Sequence, residues 1–314
     1  MESLPNKTFH LVYHDIGFHH NGFTRWINSM VTPEVFADHL EQLSQVGTIC
    51  RLDESLQDSN RDRPKFVLWF DDAYSGVHTY ASSICQKKNV VATLAVNSEF
   101  ALRKSCFWRS ELSWLLEMHS AAEIANNIFS SPYSSPEEIW SKTLQQYGQE
   151  LHHRITEMFK AKASIKERNA WHEIFMNEVQ IRECLKNGWS VCNHSANHPA
   201  LVSAGGLDSF ANDFNQCRSF VSELGGMTDA WVVPFDYGVV KQAVDSHLET
   251  LKSKCTHLVR AFYFPEMEHN TIPRITIHGH QNVLMQIEQS IRPRSQSLLK
   301  KVKSLVDRFT HRTA

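Results

Sequence analysis

The chain reads as an α/β protein with parallel strands and crossover helices. Three observations predict this. Short apolar, β-prone runs recur at 9–13, 66–70, 90–96, 189–192, 230–233, 257–262 and 274–277. Most are separated by segments of helical period, the alternation that builds parallel sheets. Five of the runs also end in polar residues suited to chemistry, as expected where strand ends converge on one mouth.

The elements follow in chain order. After the run at 9–13, Thr32 and Pro33 supply a cap and a first helical position, and Phe36, Leu40 and Leu43 fall on one face of the helix that follows. The stretch from about 108 to 187 has almost no β-like run. Leu112, Leu115, Leu116 and Met118, then Ile139, Leu144, Tyr147, Leu151, Ile155 and Phe159, recur at helical spacings, with a break near 130–136. This predicts an α-helical insertion, serving either as a lid or partner face or only as packing. Trp108, Trp114, Trp140 and Trp171 within it are expected to pack, a sugar-stacking platform being the alternative. A further helix runs from about 207 to 224 and is stopped by Gly225-Gly226. One domain over 1–290 and a tail over 291–314 complete the organisation.

The composition narrows the function classes. The 314 residues carry 32 Lys plus Arg against 34 Asp plus Glu, with 42% hydrophobic residues, an ordinary globular balance that excludes collagen-like and disordered chains. A net charge of −2 argues against a nucleic-acid partner. No run approaches the roughly 18 apolar residues a spanning helix needs. The start lacks the basic and apolar pattern of a secretory signal, and the seven scattered cysteines contain no C-x-x-C pair, so a cytoplasmic protein with reduced thiols is expected. The tail reads as a basic amphipathic helix: Leu298, Val302, Leu305, Val306 and Phe309 form a stripe among Arg and Lys residues. Its readings are docking on the barrel or peripheral contact with an anionic membrane. Nothing in the pattern specifies an oligomeric state.

The polar residues at the run ends carry the functional argument. Phe66–Phe70 leads directly into Asp71-Asp72, and the run at 189–192 into Asn193-His194-Ser195-Ala196-Asn197-His198-Pro199. The other ends are His14-Asp15, Pro234-Phe235-Asp236-Tyr237-Gly238 and His278-Gly279-His280. Adjacent carboxylates on extended backbone point different ways, so one can hold a metal while the other faces a reacting water. The alternative is a helix cap followed by an acidic first turn. His194 and His198 are spaced i, i+4, so a helical turn would bring both imidazoles to one point, with Ser195 fixing a backbone group nearby. With Asp72 they form a two-His, one-carboxylate set that suits a catalytic divalent metal.

These residues resemble the polysaccharide deacetylase family, carbohydrate esterase family four, with its NodB-homology domain. Phe70-Asp71-Asp72 is similar to the family's T/S-F-D-D motif, and His194-Ser195-Ala196-Asn197-His198-Pro199 fits its H-S/T-x-x-H-P motif at every defined position. Tyr13-His14-Asp15, the segment from Val31-Thr32-Pro33 to Gly47, and Leu185 to Val191 add similarity, so that the likeness covers most of 8–100 and 176–280. The resemblance implies a distorted (β/α) barrel and removal of acetyl groups from N-acetylated sugars. It implies Asp71 as the base, and Asp72, His194 and His198 as metal ligands.

Three motif positions depart from the family. Trp69 stands where Thr or Ser is usual. The third motif, R-x-P-Y/F, reads Val232-Val233-Pro234-Phe235, so its Arg is absent, and Arg274 or Arg260 is the expected substitute. The fifth, L-x-H, is approximated by Thr276-Ile277-His278.

The mechanism expected from the resemblance uses a divalent metal, zinc first and cobalt, nickel, manganese or iron as alternatives. Asp71 would take the proton of the attacking water, the Phe235 backbone N–H beside Pro234 would help hold the oxyanion, and His278 would protonate the amine, with His280 as its rival. His14 and Arg274 complete the expected substrate site. The expected partner is an acetamido sugar on a nucleotide or lipid carrier used in surface polysaccharide assembly. An amino-sugar deformylase with the same ligands, and a silent sugar-binding scaffold, are the alternatives. The His19-His20 and His152-His153 pairs lack placed carboxylates and read as surface residues.

Overall fold

The structure, a computed structural model, describes residues 4–57, 62–129, 133, 135–146, 148–201, 206–262, 270–279 and 282–291. The basic tail from 292 on and His280 lie outside the described residues, as do residues 130–132 and 134 of the expected helix break and Tyr147.

The strands are β1 (Thr8–Tyr13), β2 (Asp15–Ile16), β3 (Met30–Val31), β4 (Thr48–Ile49), β5 (Lys65–Asp71), β6 (Thr93–Val96), β7 (Ser190–Asn193), β8 (Met227–Val232), β9 (His257–Val259), β10 (Thr271–Ile272) and β11 (Ile275–Thr276). Every pairing is parallel. The main sheet runs β10-β9-β8-β7-β6-β5-β1-β11, with β4 beside the start of β5, and β2 and β3 form a separate pair. The sheet curls into a half-barrel whose edges, β10 and β11, are joined in the chain by Pro273 and Arg274 alone.

The alternation of side chains along the strands separates two apolar layers. Val12, Val67, Trp69, Ala95, Cys192, Val232 and Val259 pack on the concave side. Phe9, Leu11, Tyr13, Phe66, Leu68, Phe70, Val191 and Trp231 face the surrounding helices. Both faces are covered, which is why β1 and β5 read as continuous apolar runs.

The expected first helix forms as Pro33–Val46, with the Thr32 side chain accepting from the Val35 N–H and with Phe36, Leu40 and Leu43 buried. Helix Leu207–Leu224 ends at Gly225, whose φ of +78° is the left-handed conformation glycine accepts without strain. Three predicted runs shorten to the strands at 93–96, 257–259 and 275–276. β2, β3, β4 and β10 were not foreseen, because two residues are too few to show alternation.

Among its described residues the insertion forms five α-helices, Trp108–Met118, Ala121–Ile128, Pro136–Gln146, Gln149–Lys162 and Ile165–Ala170. Its expected boundary at 187 is corrected. Glu178–Lys186, started by a capping box of Asn177 with Gln180, buries Ile181 and Cys184 and packs on β7, so it is the crossover helix of the barrel. Met118, expected on the apolar face, is exposed at the end of its helix. No helix among the described residues is long and apolar enough to cross a membrane.

Candidate active site

Asp71 is the last residue of β5, and its parity with Val67 and Trp69 turns it to the concave side. Asp72 and Ala73 follow with φ of +65° and +51°. Two left-handed residues cannot begin a helix, so the capping alternative is excluded and the two carboxylates separate. Such backbone strain is expected where a site overrides local preference.

The loop after β7 brings His194 and His198 together without the expected helical turn. Ser195 (φ +69°) and His198 (φ +51°) bend the chain instead. Asn97 Nδ2 donates to the carbonyls of His194 and Ser195 at 2.7 and 3.0 Å, Asn193 Oδ1 accepts from the Ser195 N–H at 2.7 Å, and the Asp213 carboxylate accepts from the Asn197 N–H. The Ser195 hydroxyl accepts from the Trp231 indole at 3.1 Å, so it anchors the loop to β8 rather than capping a backbone group.

Asp72, His194 and His198 are buried, and their donor atoms lie within 4.8 Å of one another. His194 Nε2 and His198 Nε2 stand 3.5 and 3.4 Å from Asp72 Oδ1. His194 Nδ1 lies 2.9 Å from the Val232 carbonyl, which can only accept, so Nδ1 carries the proton and Nε2 keeps its lone pair for a ligand. Val232 has no guanidinium, yet its backbone carbonyl orients the His194 ring. Burial lowers His194 to about 4, against the opposing charge of Asp71, and burial followed by the neighbouring His194 puts His198 well below the ordinary histidine range. Both rings are therefore neutral. Burial, then the charge of Asp71, pushes Asp72 well above the carboxylate range, and its Oδ1 is buried without a hydrogen-bond partner. A buried orphan oxygen between two imidazoles fits a divalent cation.

Asp71 has a different environment. Arg274 holds it bidentately, Nη1 to Oδ1 at 2.7 Å and Nη2 to Oδ2 at 2.9 Å. Burial raises this carboxyl, but the Arg274 charge, then His194 and the two hydrogen bonds, outweigh burial and hold it below the ordinary range. Arg274 in turn donates from Nε to the Arg260 carbonyl at 3.1 Å and lies 5.3 Å from the Trp69 ring centroid. Of the two guanidiniums expected near Asp71, Arg274 is the one in contact with it. Arg260 is excluded from that task because its own guanidinium binds Asp236 and Asp245. Trp69 occupies the layer beneath the pair, its indole donating to His10 at 3.1 Å.

Asp71, Asp72, His194, His198 and Arg274 line a cavity of about 460 Å³ together with His14, Phe235 and His278. His14 is driven below the ordinary range by desolvation, opposed by Asp71. Phe235, at φ +51°, turns the chain at the wall, its ring 4.3 Å from that of His198. Pro234 is corrected: it is buried behind this turn and does not line the cavity. His278 is exposed at the rim, and Gln286 grips its backbone, accepting from the N–H at 2.7 Å and donating to the carbonyl at 3.1 Å. No sequence signal points to Gln286, nor to Phe107 and Arg109, which line the wall from the start of helix Trp108–Met118. Trp108, Trp114 and Trp171 are buried and pack, as expected.

A family model described as polysaccharide deacetylase matches residues 58–256. No curated protein sequence matches the chain significantly. Among solved structures, the Streptococcus pyogenes deacetylase PplD in complex with acetate aligns with TM-score 0.55 and 17% identity, over 92% of this chain and 100% of that one. IcaB from Ammonifex degensii aligns with TM-score 0.55 and 12% identity over 91% and 98%. A de-N-acetylase from Aggregatibacter actinomycetemcomitans does so with TM-score 0.55 and 15% identity over 90% and 99%. At these identities the likeness is one of fold.

Proposed function

The chain belongs to the polysaccharide deacetylase family, hydrolases of the amide bonds of acetylated sugars, and from that premise we propose a metal-dependent deacetylase of a small, carrier-linked acetamido sugar. One observation carries the reading: a carboxylate clamped by a buried guanidinium and an Asp/His/His set line the same cavity. A volume of about 460 Å³ falls in the range of small-molecule sites.

The proposed division of labour follows from the environments of the two aspartates. Asp72, His194 and His198 would hold a divalent ion, with zinc the first choice for two nitrogens and one oxygen. When bound, the ion supplies the positive charge that polarises the acetamide carbonyl and the attacking water. Asp71 stays ionised beside Arg274 and accepts the water's proton as attack proceeds. The Phe235 backbone N–H, at the left-handed turn, helps hold the oxyanion. His278, placed on the rim by Gln286, delivers a proton to the departing amine.

Metal analysis and acetate release from a panel of acetamido sugars, on the wild type beside His194→Ala, test the proposal. The wild type is expected to retain a divalent ion and release acetate, and the variant to lose both. Absence of acetate release from a metal-loaded wild type overturns it, and formate release from the N-formyl sugars under the same conditions would transfer the site to deformylation.

A further inference from the structure

The cavity holds one guanidinium whose charge the protein does not answer. Arg274 is paired with Asp71, and Arg260 with Asp236 and Asp245. Arg109 is only 8% exposed, and the groups acting on its charge are the hydroxyls of Tyr237 and Tyr74 rather than a carboxylate. Among the described residues no ion pair involves it. Its guanidinium lies 3.8 Å from the Trp140 ring centroid and 5.7 Å from that of Trp108. Aromatic faces hold and orient a cation but recover only part of its lost hydration.

The position compounds the cost. Arg109 is in the first turn of helix Trp108–Met118, where the helix dipole disfavours a cation, and the Phe107 side chain leaves that turn uncapped. Phe107 and Arg109 line the same cavity as Asp71, Asp72 and His278. A buried, planar, fork-shaped cation at an uncapped helix start, beside the Tyr237 hydroxyl, can meet two oxygens of a phosphate or a carboxylate at once.

We infer that the acetamido sugar accepted here carries an anionic group, a phosphate ester or a carboxylate, which Arg109 and Tyr237 bind while the acetamide faces Asp71 and Asp72. This rests on the deacetylase reading and names the class of its substrate. Arg109 is a specificity residue contributed by the insertion.

The test compares acetate release from N-acetylglucosamine, its 1-phosphate and its 6-carboxylate by the metal-loaded enzyme. The wild type is expected to favour a charged sugar by about tenfold to a hundredfold in kcat/KM, mainly through KM. Which charged sugar is preferred separates phosphate from carboxylate. Arg109→Met is expected to collapse that ratio and Arg109→Lys to restore part of it. Equal kcat/KM on neutral and charged sugars by the wild type, or a ratio that survives Arg109→Met, overturns the inference. The wild-type comparison decides even if Arg109→Met does not fold. Should no sugar release acetate, the deacetylase reading fails separately. Calorimetric titration with the same three sugars then decides the anion site: tighter binding of a charged sugar, lost in the variants, upholds it, and equal binding overturns it.

Discussion

The strand ends and the helical insertion meet at one cavity but treat charge in opposite ways. At the strand ends Asp71 has Arg274, Asp236 has Arg260, and Asp72 sits between two imidazoles. The insertion instead offers Arg109 with aromatic faces and no carboxylate, and behind it Glu111, buried beside Thr156. Groups whose partners are built in are fixed before any ligand arrives, as chemistry requires. A charge left for the ligand to answer selects which ligand enters.

The sharpest way to break this comparison is at Asp71. Asp71→Asn should lower kcat by about 10²–10⁴-fold while retaining the metal, because the acceptor of the proton is lost and the ligand set is not. Full turnover in a metal-replete variant would remove Asp71 from the role of base. Next in size is Arg274→Met, which leaves Asp71 buried without its partner. Loss of a buried pair's cation costs about 3–5 kcal/mol, so a fall in melting temperature should accompany a kcat reduced at least about tenfold. Arg274→Lys should recover little, since an ammonium cannot reproduce the two-point grip. Unchanged melting and turnover in Arg274→Met would show that Asp71 needs no guanidinium.

The smallest effect concerns the insertion alone. Burial raises Glu111 to about 8 from an ordinary 4.5, against the lowering effect of its bond with Thr156. The folded state therefore keeps a proton the unfolded chain releases, and stability falls as pH rises from about 4.5 to 8. Glu111→Gln should flatten that slope by up to roughly 3 kcal/mol, read from denaturant melts at pH 5 and 8. Parallel slopes in the two proteins would show that Glu111 does not titrate differently on folding.

The same division explains what could be read from the sequence. Asp71 and Asp72 were legible because they follow directly on the apolar run of β5, and His194 because it follows the end of β7; His198 was legible only through its spacing from His194. Arg274 was legible only as one of two guanidiniums, since its parity does not reveal that β11 pairs with β1. The route by which His198 reaches His194 was misread as a helical turn because spacing alone does not report φ, and four polar anchors hold the loop instead. Arg109 and Phe107 escaped because helical period identifies an apolar face without saying which neighbour it meets. Gln286 escaped for the same reason, its side chain reaching back eight residues from a helix with no motif of its own.

The two-residue link between β10 and β11 ties assembly to competence. Asp71 and Arg274 are 203 positions apart, and Arg274 lies in the two-residue span that joins the edge strands β10 and β11. During synthesis the N-terminal strands emerge first, so the carboxylate on β5 waits with no counter-charge until nearly the last strand has been made. The segment that joins the two edge strands is thus also the one that brings Asp71 its counter-charge. Under the proposed mechanism a nascent chain would hold Asp71 without its counter-charge, and a motion that parts β11 from β1 would separate the pair again.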